Sequence, residues 1–451
     1  MAGETDGTAQ GVLVRVGVLG CGTVGGALVE IVDETSDEIA GRTGIRLEVT
    51  RVAVRNVARH RLPRLPERLT DAARSVVSDP EVDVVVELIG GIEPARTLVL
   101  EAMRAGKPVV SANKELLANV GNELLGAAKD AGVDLLYEAA VAGAIPLVRP
   151  LTESLAGERI LRVMGIVNGT TNYVLTRMSE EGSAYGDALA EAQRLGYAER
   201  DPSADVDGYD AAAKAAIIAG IAFNADVVAA DVYREGITGI DRTDIECAHR
   251  LGYEVKLLAV AERAGGTPAR PVVAVRVHPA MVPIDHPLAG VRGSYNAVFI
   301  EGDASGELML YGRGAGGRPT ASAVLGDLVD AAHNLLAGGR GRAAPRARCE
   351  IRPIDELETQ YYLTIDVEDR PGVLASVATV FGANSVSIRS MEQVGLAGEA
   401  RLVFITHTAV EADVQATISQ LAQLEAVERV GKLIRVIGPE REPESRGGAV
   451  S

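Results

Sequence analysis

The sequence predicts three folded units: an α/β nucleotide domain of the Rossmann type, an α+β substrate and dimerisation domain, and a C-terminal ferredoxin-like βαββαβ module. Strand-like and helix-like segments alternate over residues 11–145 of the 451, a pattern that builds a parallel sheet with helices on both faces. Long Ala-rich helices then mix with strands. A compact strand–helix–strand–strand–helix–strand order closes the chain. At about 100–200 residues per domain, this length accommodates two or three.

Gly11–Leu19 (GVLVRVGVL) is Val-rich and short, which suits a buried parallel strand. A glycine turn then opens a helix over Val24–Val32. Arg46–Val54 and Val82–Ile89 read as the second and third strands. Helix Ala95–Ala105 leads through Gly106 to strand Pro108–Ser111, and a further helix leads to strand Val133–Tyr137. From 146 to 337 the pattern is α+β, with strands Leu161–Val167 and Arg270–Val277 and helices Ser183–Leu195 and Tyr209–Ala222. Helix Ala321–Leu336 is expected to return onto the first domain. Gly338–Pro353 (GGRGRAAPRARCEIRP) has linker composition, and the linker is expected to run to 358. The module, 359–438, reads as strand Tyr361–Val367, helix Gly372–Phe381, strands Ser385–Glu392 and Glu399–His407, helix Glu411–Leu424 and strand Arg429–Ile437. A disordered tail is expected from Gly438.

Hydrophobic residues make up 47%, but only four are Phe and none is Trp, so the cores must be built from Ala, Val, Leu and Ile. Net charge is 45 − 62 = −17. Such an acidic surface repels phosphate backbones and anionic lipid, so neither nucleic acid nor membrane is an expected partner. A small anionic substrate, which feels only its pocket, is not excluded. Cys21, Cys247 and Cys349 are too few and too scattered for a disulfide framework or a zinc site. No apolar stretch approaches the roughly 20 residues that span a bilayer. Residues 1–10 (MAGETDGTAQ) lack the basic start and apolar run of a signal peptide, so a cytoplasmic location is expected.

Gly20-Cys21-Gly22-Thr23-Val24-Gly25 is a G-x-G-x-x-G between a Val-rich strand and a helix. In that context Gly20 makes the tight turn, Gly22 lets backbone approach a pyrophosphate, and Gly25 lets helix and strand pack closely. The helix N-terminus, with Thr23 and Val24, faces the anion. Cys21 reads as a small buried filler. An NAD site usually ends its second strand with Asp or Glu on the ribose hydroxyls; here the strand ends Ala53-Val54-Arg55-Asn56. Arg55 suits a 2′-phosphate, so NADP is favoured. As a solvated strand-end residue it would leave NAD usable.

On helix Tyr209–Ala222, Asp210 and Lys214 stand four apart and share a face. Most such pairs are exposed ion pairs. This face continues through Ile217, Ile218 and Ile221, which places the pair at the end of an apolar stripe, as at a cleft wall. A lysine there can exchange a proton with a substrate hydroxyl; an ordinary structural ion pair is the alternative. Upstream, Gly196–Pro202 (GYAERDP) and Asp205–Gly208 (DVDG) form an acidic loop. Its acids serve either turns and caps or, through Glu199 and Asp205, a substrate ammonium group.

The strings GCGTVG, SANKE (Ser111–Glu115), NGTTNY (Asn168–Tyr173) and GYAERDPSADVDGYDAAAK (Gly196–Lys214) resemble the homoserine dehydrogenase family, the last being its signature. The likeness runs from about Val12 to Leu336. With no aspartate kinase ahead of it, the expected type is the monofunctional bacterial one. The resemblance implies interconversion of L-homoserine and L-aspartate 4-semialdehyde, in threonine, methionine and isoleucine biosynthesis, with hydride passing to or from a nicotinamide. It makes Lys214 the proton donor and acceptor and Asp210 its orienting partner. It places Lys114 by nicotinamide and substrate, where it can stabilise oxyanion charge. Glu199 and Asp205 would hold the substrate amino group, and Ser111 would help bind the cofactor. Gly312–Gly316 (GRGAG) resembles the family's second glycine loop, which brings Gly316 to the cofactor; its bland reading is an ordinary turn. The resemblance also implies a monovalent cation, usually sodium, held by oxygens of Glu138, Val141, Gly143 and Ile145. Arg200 stands where the family often has proline, which should alter loop rigidity rather than chemistry.

Asp369-Arg370-Pro371-Gly372-Val373-Leu374 joins the module's first strand to its helix. Helix amides exposed after such a turn suit a carboxylate. This resembles the ACT family, whose members pair and bind amino acids at their interface. The implied effector site comprises Asp369, Gly372, Val373 and Leu374, and the implied effector is L-threonine, acting by feedback inhibition. A purely structural pairing module is the alternative. The whole is expected to be a homodimer or homotetramer. Another amino-acid or semialdehyde dehydrogenase is a competing reading, though an acylating one needs a nucleophilic cysteine that the catalytic segments lack. A non-catalytic sensor would not need Lys114, Glu199, Asp205, Asp210 and Lys214 together.

Overall fold

The computed structural model describes residues 11–59, 67–339, 344–396 and 399–438. The first ten residues and the tail beyond Gly438, about which the sequence made expectations, lie outside the described residues.

The first domain is a six-stranded, all-parallel sheet. Its strands are β1 (Val12–Leu19), β2 (Ile45–Ala53), β3 (Leu69–Thr70), β4 (Val84–Glu87), β5 (Val109–Ser111) and β6 (Leu135–Leu136), in spatial order 3-2-1-4-5-6. Helices α1 (Thr23–Thr43), α2 (Ala73–Ser78), α3 (Ala95–Arg104) and α4 (Lys114–Ala131) connect them. The order reverses between β1 and β4, and the crevice above such a switch point is where α/β sheets bind ligands. α1 outruns the expected Val24–Val32 by more than two turns. Its polar continuation reads as a stop, yet Ile39 and Ala40 are buried and prolong the packing face.

The second domain contains β7 (Ile160–Ile166), α5 (Gly169–Glu181), α6 (Tyr185–Arg194), α7 (Ser203–Val206), α8 (Tyr209–Phe223), β8 (Tyr233–Arg234), α9 (Arg242–Arg250), β9 (Tyr253–Thr267), β10 (Arg270–Pro283), β11 (Tyr295–Gly302) and β12 (Gly306–Arg313). α8 lies on this sheet and is buried almost throughout, with Ala and Ile against the strands. The long helix α10 (Gly317–Leu336) crosses back, packing Ala321, Val324, Leu328 and Ala331 into the core of β1, β2 and α1.

The C-terminal module contains β13 (Glu350–Ile351), β14 (Glu358–Glu368), α11 (Val373–Ala383), β15 (Ile388–Leu396), β16 (Glu399–Thr406), β17 (Ala409–Val410), α12 (Glu411–Leu421), β18 (Val427–Val430) and β19 (Ile434–Val436). The expected single last strand, Arg429–Ile437, is two. At Gly431, where an added Cβ would lie 2.0 Å from Thr364 Oγ1, the chain steps before pairing with β14 again.

The second domain and the module share one sheet. Its path runs β12-β11-β7-β9-β10-β19-β14-β16-β15, joined where Ala280 and Met281 of β10 pair in parallel with Arg435 and Val436 of β19. β8 and β13 pair with the same side of β10. The segment read as a linker is therefore tied down from 344 onward: Arg346 N donates to Asn122 Oδ1, and Glu350–Ile351 lie along Val272–Val273. At the seam Arg435, 2% exposed, donates to both Glu411 oxygens at 2.7 and 2.9 Å and to Glu235 at 2.7 Å. Tyr361 and Tyr233 hydroxyls donate to the same two carboxylates. This seam was not anticipated. No helix among the described residues is long and apolar enough to cross a membrane.

Candidate active site

The glycine loop follows from sterics. Gly20 has φ +100°, and a Cβ there would lie 2.6 Å from Leu88 O; a Cβ on Gly25 would lie 2.3 Å from Gly20 O. Only glycine fits these two places. Gly22, the N-cap of α1, faces open space instead, which is the cradle a pyrophosphate needs. Cys21 is buried, and burial pushes its thiol pKa up, as expected for an inert filler. Arg55 stands exposed just beyond β2. The second glycine loop meets the first: Gly316 (φ +127°) caps α10, and a Cβ on Gly317 would lie 3.0 Å from Thr23 O. The residues therefore fit a dinucleotide laid across the N-termini of α1 and α10.

Across the crevice, Lys114, the first residue of α4, places Nζ 2.5 Å from Asp210 Oδ1. Lys214 Nζ donates to Asp210 Oδ2 at 2.8 Å and to Val167 O at 2.7 Å. Asp210 and Lys214 are buried, whereas the Lys114 side chain is 43% exposed. Burial alone would raise the Asp210 pKa, but Lys214 and Lys114 hold it well below the usual carboxylate range. One carboxylate thus serves two ammonium groups, and Asp205 adds a second negative charge close enough to act on Lys114. An ammonium has three hydrogens, and Lys214 uses two on these acceptors.

Asn168 joins this cluster, a role the sequence did not reveal. Its Nδ2 bridges Asp205 Oδ1 at 2.7 Å and Asp210 Oδ2 at 2.8 Å, while its Oδ1 caps α5 through Thr171 N. The NGTTNY string held the signal, since an Asn before a helix reads as a cap, but a cap carries no hint of its second partner. Asp205 is thus brought to the cluster. Glu199 is not: it is exposed, and its backbone carbonyl is held by Gln193 Nε2. Ser111 is fully buried, its hydroxyl donating to Glu87 and accepting from Asn113 N.

The junction loop 138–145 is buried against the second glycine loop. Ala142 and Gly143 adopt left-handed φ of 57° and 60°; a Cβ on Gly143 would lie 2.3 Å from Gly314 O, and Ala144 N donates to Arg313 O. The Glu138 carboxylate accepts from the amides of Leu147, Val148 and Arg149. Its side-chain oxygens are committed, so a cation here would rely on main-chain oxygens of Glu138, Val141, Gly143 and Ile145. No cluster of His, Cys, Asp or Glu among the described residues has the makings of a metal site. In the C-terminal module, Gly372 (φ +93°) caps α11, Val373 is buried, Leu374 is 38% exposed, and exposed Asp369 lies 3.5 Å from Gln393 Nε2.

Comparison with known proteins agrees with this geometry. Residues 20–138 match the model of the homoserine dehydrogenase NAD binding domain, 146–329 that of homoserine dehydrogenase, and 361–426 that of the ACT domain. Homoserine dehydrogenase of Corynebacterium glutamicum is 49% identical over 431 residues, covering 95% of this chain and 97% of the relative. That of Bacillus subtilis is 41% identical, covering 94% and 98%. A crystal structure of a homoserine dehydrogenase from Thiobacillus denitrificans superimposes with a TM-score of 0.89 at 42% identity, over 95% of this chain and 99% of that one. A hyperthermophilic archaeal homoserine dehydrogenase mutant in complex with NADPH gives 0.61 at 30% identity, over 72% and 98%.

Proposed function

The chain belongs to the homoserine dehydrogenase family and is an NAD(P)-dependent oxidoreductase, and from that premise we propose the following chemistry and regulation. The substrate pair is L-homoserine and L-aspartate 4-semialdehyde, and NADP(H) is the preferred cofactor. The observation that carries this reading is the Lys114–Asp210–Lys214 cluster opposite the two glycine loops.

In the oxidising direction NADP⁺, held by the Gly20, Gly22 and Gly25 loop, would supply the acceptor for the hydride that leaves C4 of the substrate alcohol. Lys214, as the free amine, takes the hydroxyl proton, so C4 becomes the aldehyde carbon and one proton is left on Nζ. Asp210 and Val167 O fix that nitrogen in place. Lys114 supplies positive charge where alkoxide character develops. Asp205, held by Asn168, receives the substrate ammonium group, with Glu199 of the same acidic loop as the second carboxylate. Arg55 favours the 2′-phosphate of NADP, a preference supported by its exposed place beyond β2.

A sodium-type cation at the 138–145 loop is supported by its buried main chain. L-Threonine as effector is supported by the D-x-P-G turn before α11. Pairing of copies is supported by edge strand β12, which exposes Leu308 and Tyr311, and the setting is cytoplasmic. The test is NADP⁺ reduction with L-homoserine, followed by nicotinamide absorbance in sodium or potassium buffer, with and without L-threonine. Turnover that threonine suppresses is the expected result. Turnover indifferent to threonine removes the effector assignment, and none with NADP⁺ or NAD⁺ in folded protein removes the substrate.

A further inference from the structure

Glu87 ends β4 at the switch point, opposite Leu19 of β1 on one side and Ser111 of β5 on the other. It is fully buried. Among the described residues no ion pair neutralises it; neutral donors surround it instead. Oε1 accepts from Ile89 N at 2.8 Å and Gly90 N at 3.3 Å, and Oε2 accepts from Ser111 Oγ at 2.7 Å. Asn113 Nδ2 reaches Oε1 at 3.4 Å while donating to Gly91 O at 2.6 Å, and Asn113 Oδ1 caps α4 through Leu116 N.

These bonds tie together two lips of the crevice. One lip is residues 88–91, where Gly90 and Gly91 take φ of 81° and 71° and Leu88 O abuts Gly20. The other is residues 111–114, which launches α4 with Lys114 as its first residue. A Glu at the end of a Val run in a parallel sheet needs a reason, since a buried carboxylate costs several kcal/mol unless hydrogen-bonded. Burial pushes its pKa up, and the four donors oppose that push.

We propose that Glu87 is a positioning residue: its carboxylate, by its reach rather than its charge, sets the place of Lys114 against Asp210 and the glycine loop. It touches neither substrate nor cofactor and acts only through the two lips. The inference rests on the dehydrogenase reading for its effect on turnover, but its structural content can be tested separately.

Two variants separate reach from charge. Glu87→Asp keeps the charge and withdraws the carboxylate by one methylene, whereas Glu87→Gln keeps the reach, with its amide oxygen on the two backbone donors and its nitrogen towards Ser111 Oγ. Glu87→Asp should lower kcat about 100-fold, the effect of roughly 1 Å of misplacement, with much less change in KM for L-homoserine. Glu87→Gln should recover most of that loss. Hydrogen exchange of the full-length protein supplies a readout independent of turnover: amides 89–90 and 116 should exchange faster in the Asp variant and near the wild-type rate in the Gln variant. If the wild type reduces neither NADP⁺ nor NAD⁺ with L-homoserine, the substrate reading fails and exchange alone decides this proposal. Unchanged exchange and turnover in Glu87→Asp, or a Gln variant more impaired than the Asp one, would overturn it.

Discussion

The molecule contains two charge clusters of opposite composition. At the crevice one carboxylate, Asp210, serves two ammonium groups; at the seam one guanidinium, Arg435, serves two carboxylates, Glu235 and Glu411. The seam is saturated. Arg435 directs its planar fork at both acids, and Tyr361 and Tyr233 add a further donor to each. The crevice is not: Lys114 is partly exposed, and Lys214 has a hydrogen to spare. Burial and ion pairing alone therefore do not mark a reactive site. In the proposed chemistry, what sets the crevice apart is unspent hydrogen-bonding capacity.

Three measurements sharpen or break that contrast. Lys214→Ala should lower turnover by about 10³- to 10⁴-fold, the upper range for a lost proton-transfer group, while NADPH affinity stays nearly unchanged. Weakened NADPH binding with substantial residual turnover would place proton transfer elsewhere. Arg435→Met should do the reverse. It strands buried Glu411 and leaves half-buried Glu235 only Lys432 at 3.7 Å, costing about 3–5 kcal/mol in denaturant unfolding, and spares turnover per folded molecule. A large loss of turnover without lost stability would make the seam part of the site.

The smallest effect is pH-dependent. Burial pushes the Glu235 carboxyl up, but Arg435 and the Tyr233 hydroxyl more than offset it and hold its pKa below the ordinary value. A folded pKa below the unfolded one contributes stability above the unfolded value, near 4.3, and that contribution is lost as pH falls through the folded value. Glu235→Gln should therefore be less stable than wild type by on the order of 1 kcal/mol at pH 7, with the gap closing below about pH 4. A gap independent of pH would mean that shape, not charge, holds the seam.

The nucleotide domain was legible because its signals are local. The G-x-G-x-x-G spacing is complete within six residues, with Gly25 packed on Gly20 O, and Asp210 and Lys214 meet across one helical turn. What escaped depends on strands brought together from afar. Glu87 reads as the polar end of a Val run until β5 supplies Ser111 and Asn113. Arg435, in KLIRVIG, reads as an outward residue of an alternating strand until β10 and α12 close over it. Asn168 shows its cap in sequence and hides its bridge. Periodicity tells which face a residue takes; it is silent about which strand lies beside it.

That silence has a practical side in β10. Three short pieces from widely separated stretches, Tyr233–Arg234, Glu350–Ile351 and Ile434–Val436, cover its flank opposite β9. A cut near Gly338, natural enough if the C-terminal module were a pendant, would strip two of the three. The bared edge from Val272 to Met281 would present unpaired amides and carbonyls beside Val-rich surface, a template for aggregation. A truncated enzyme that precipitates would then report on a missing strand cover, and silencing the module calls for point changes within it.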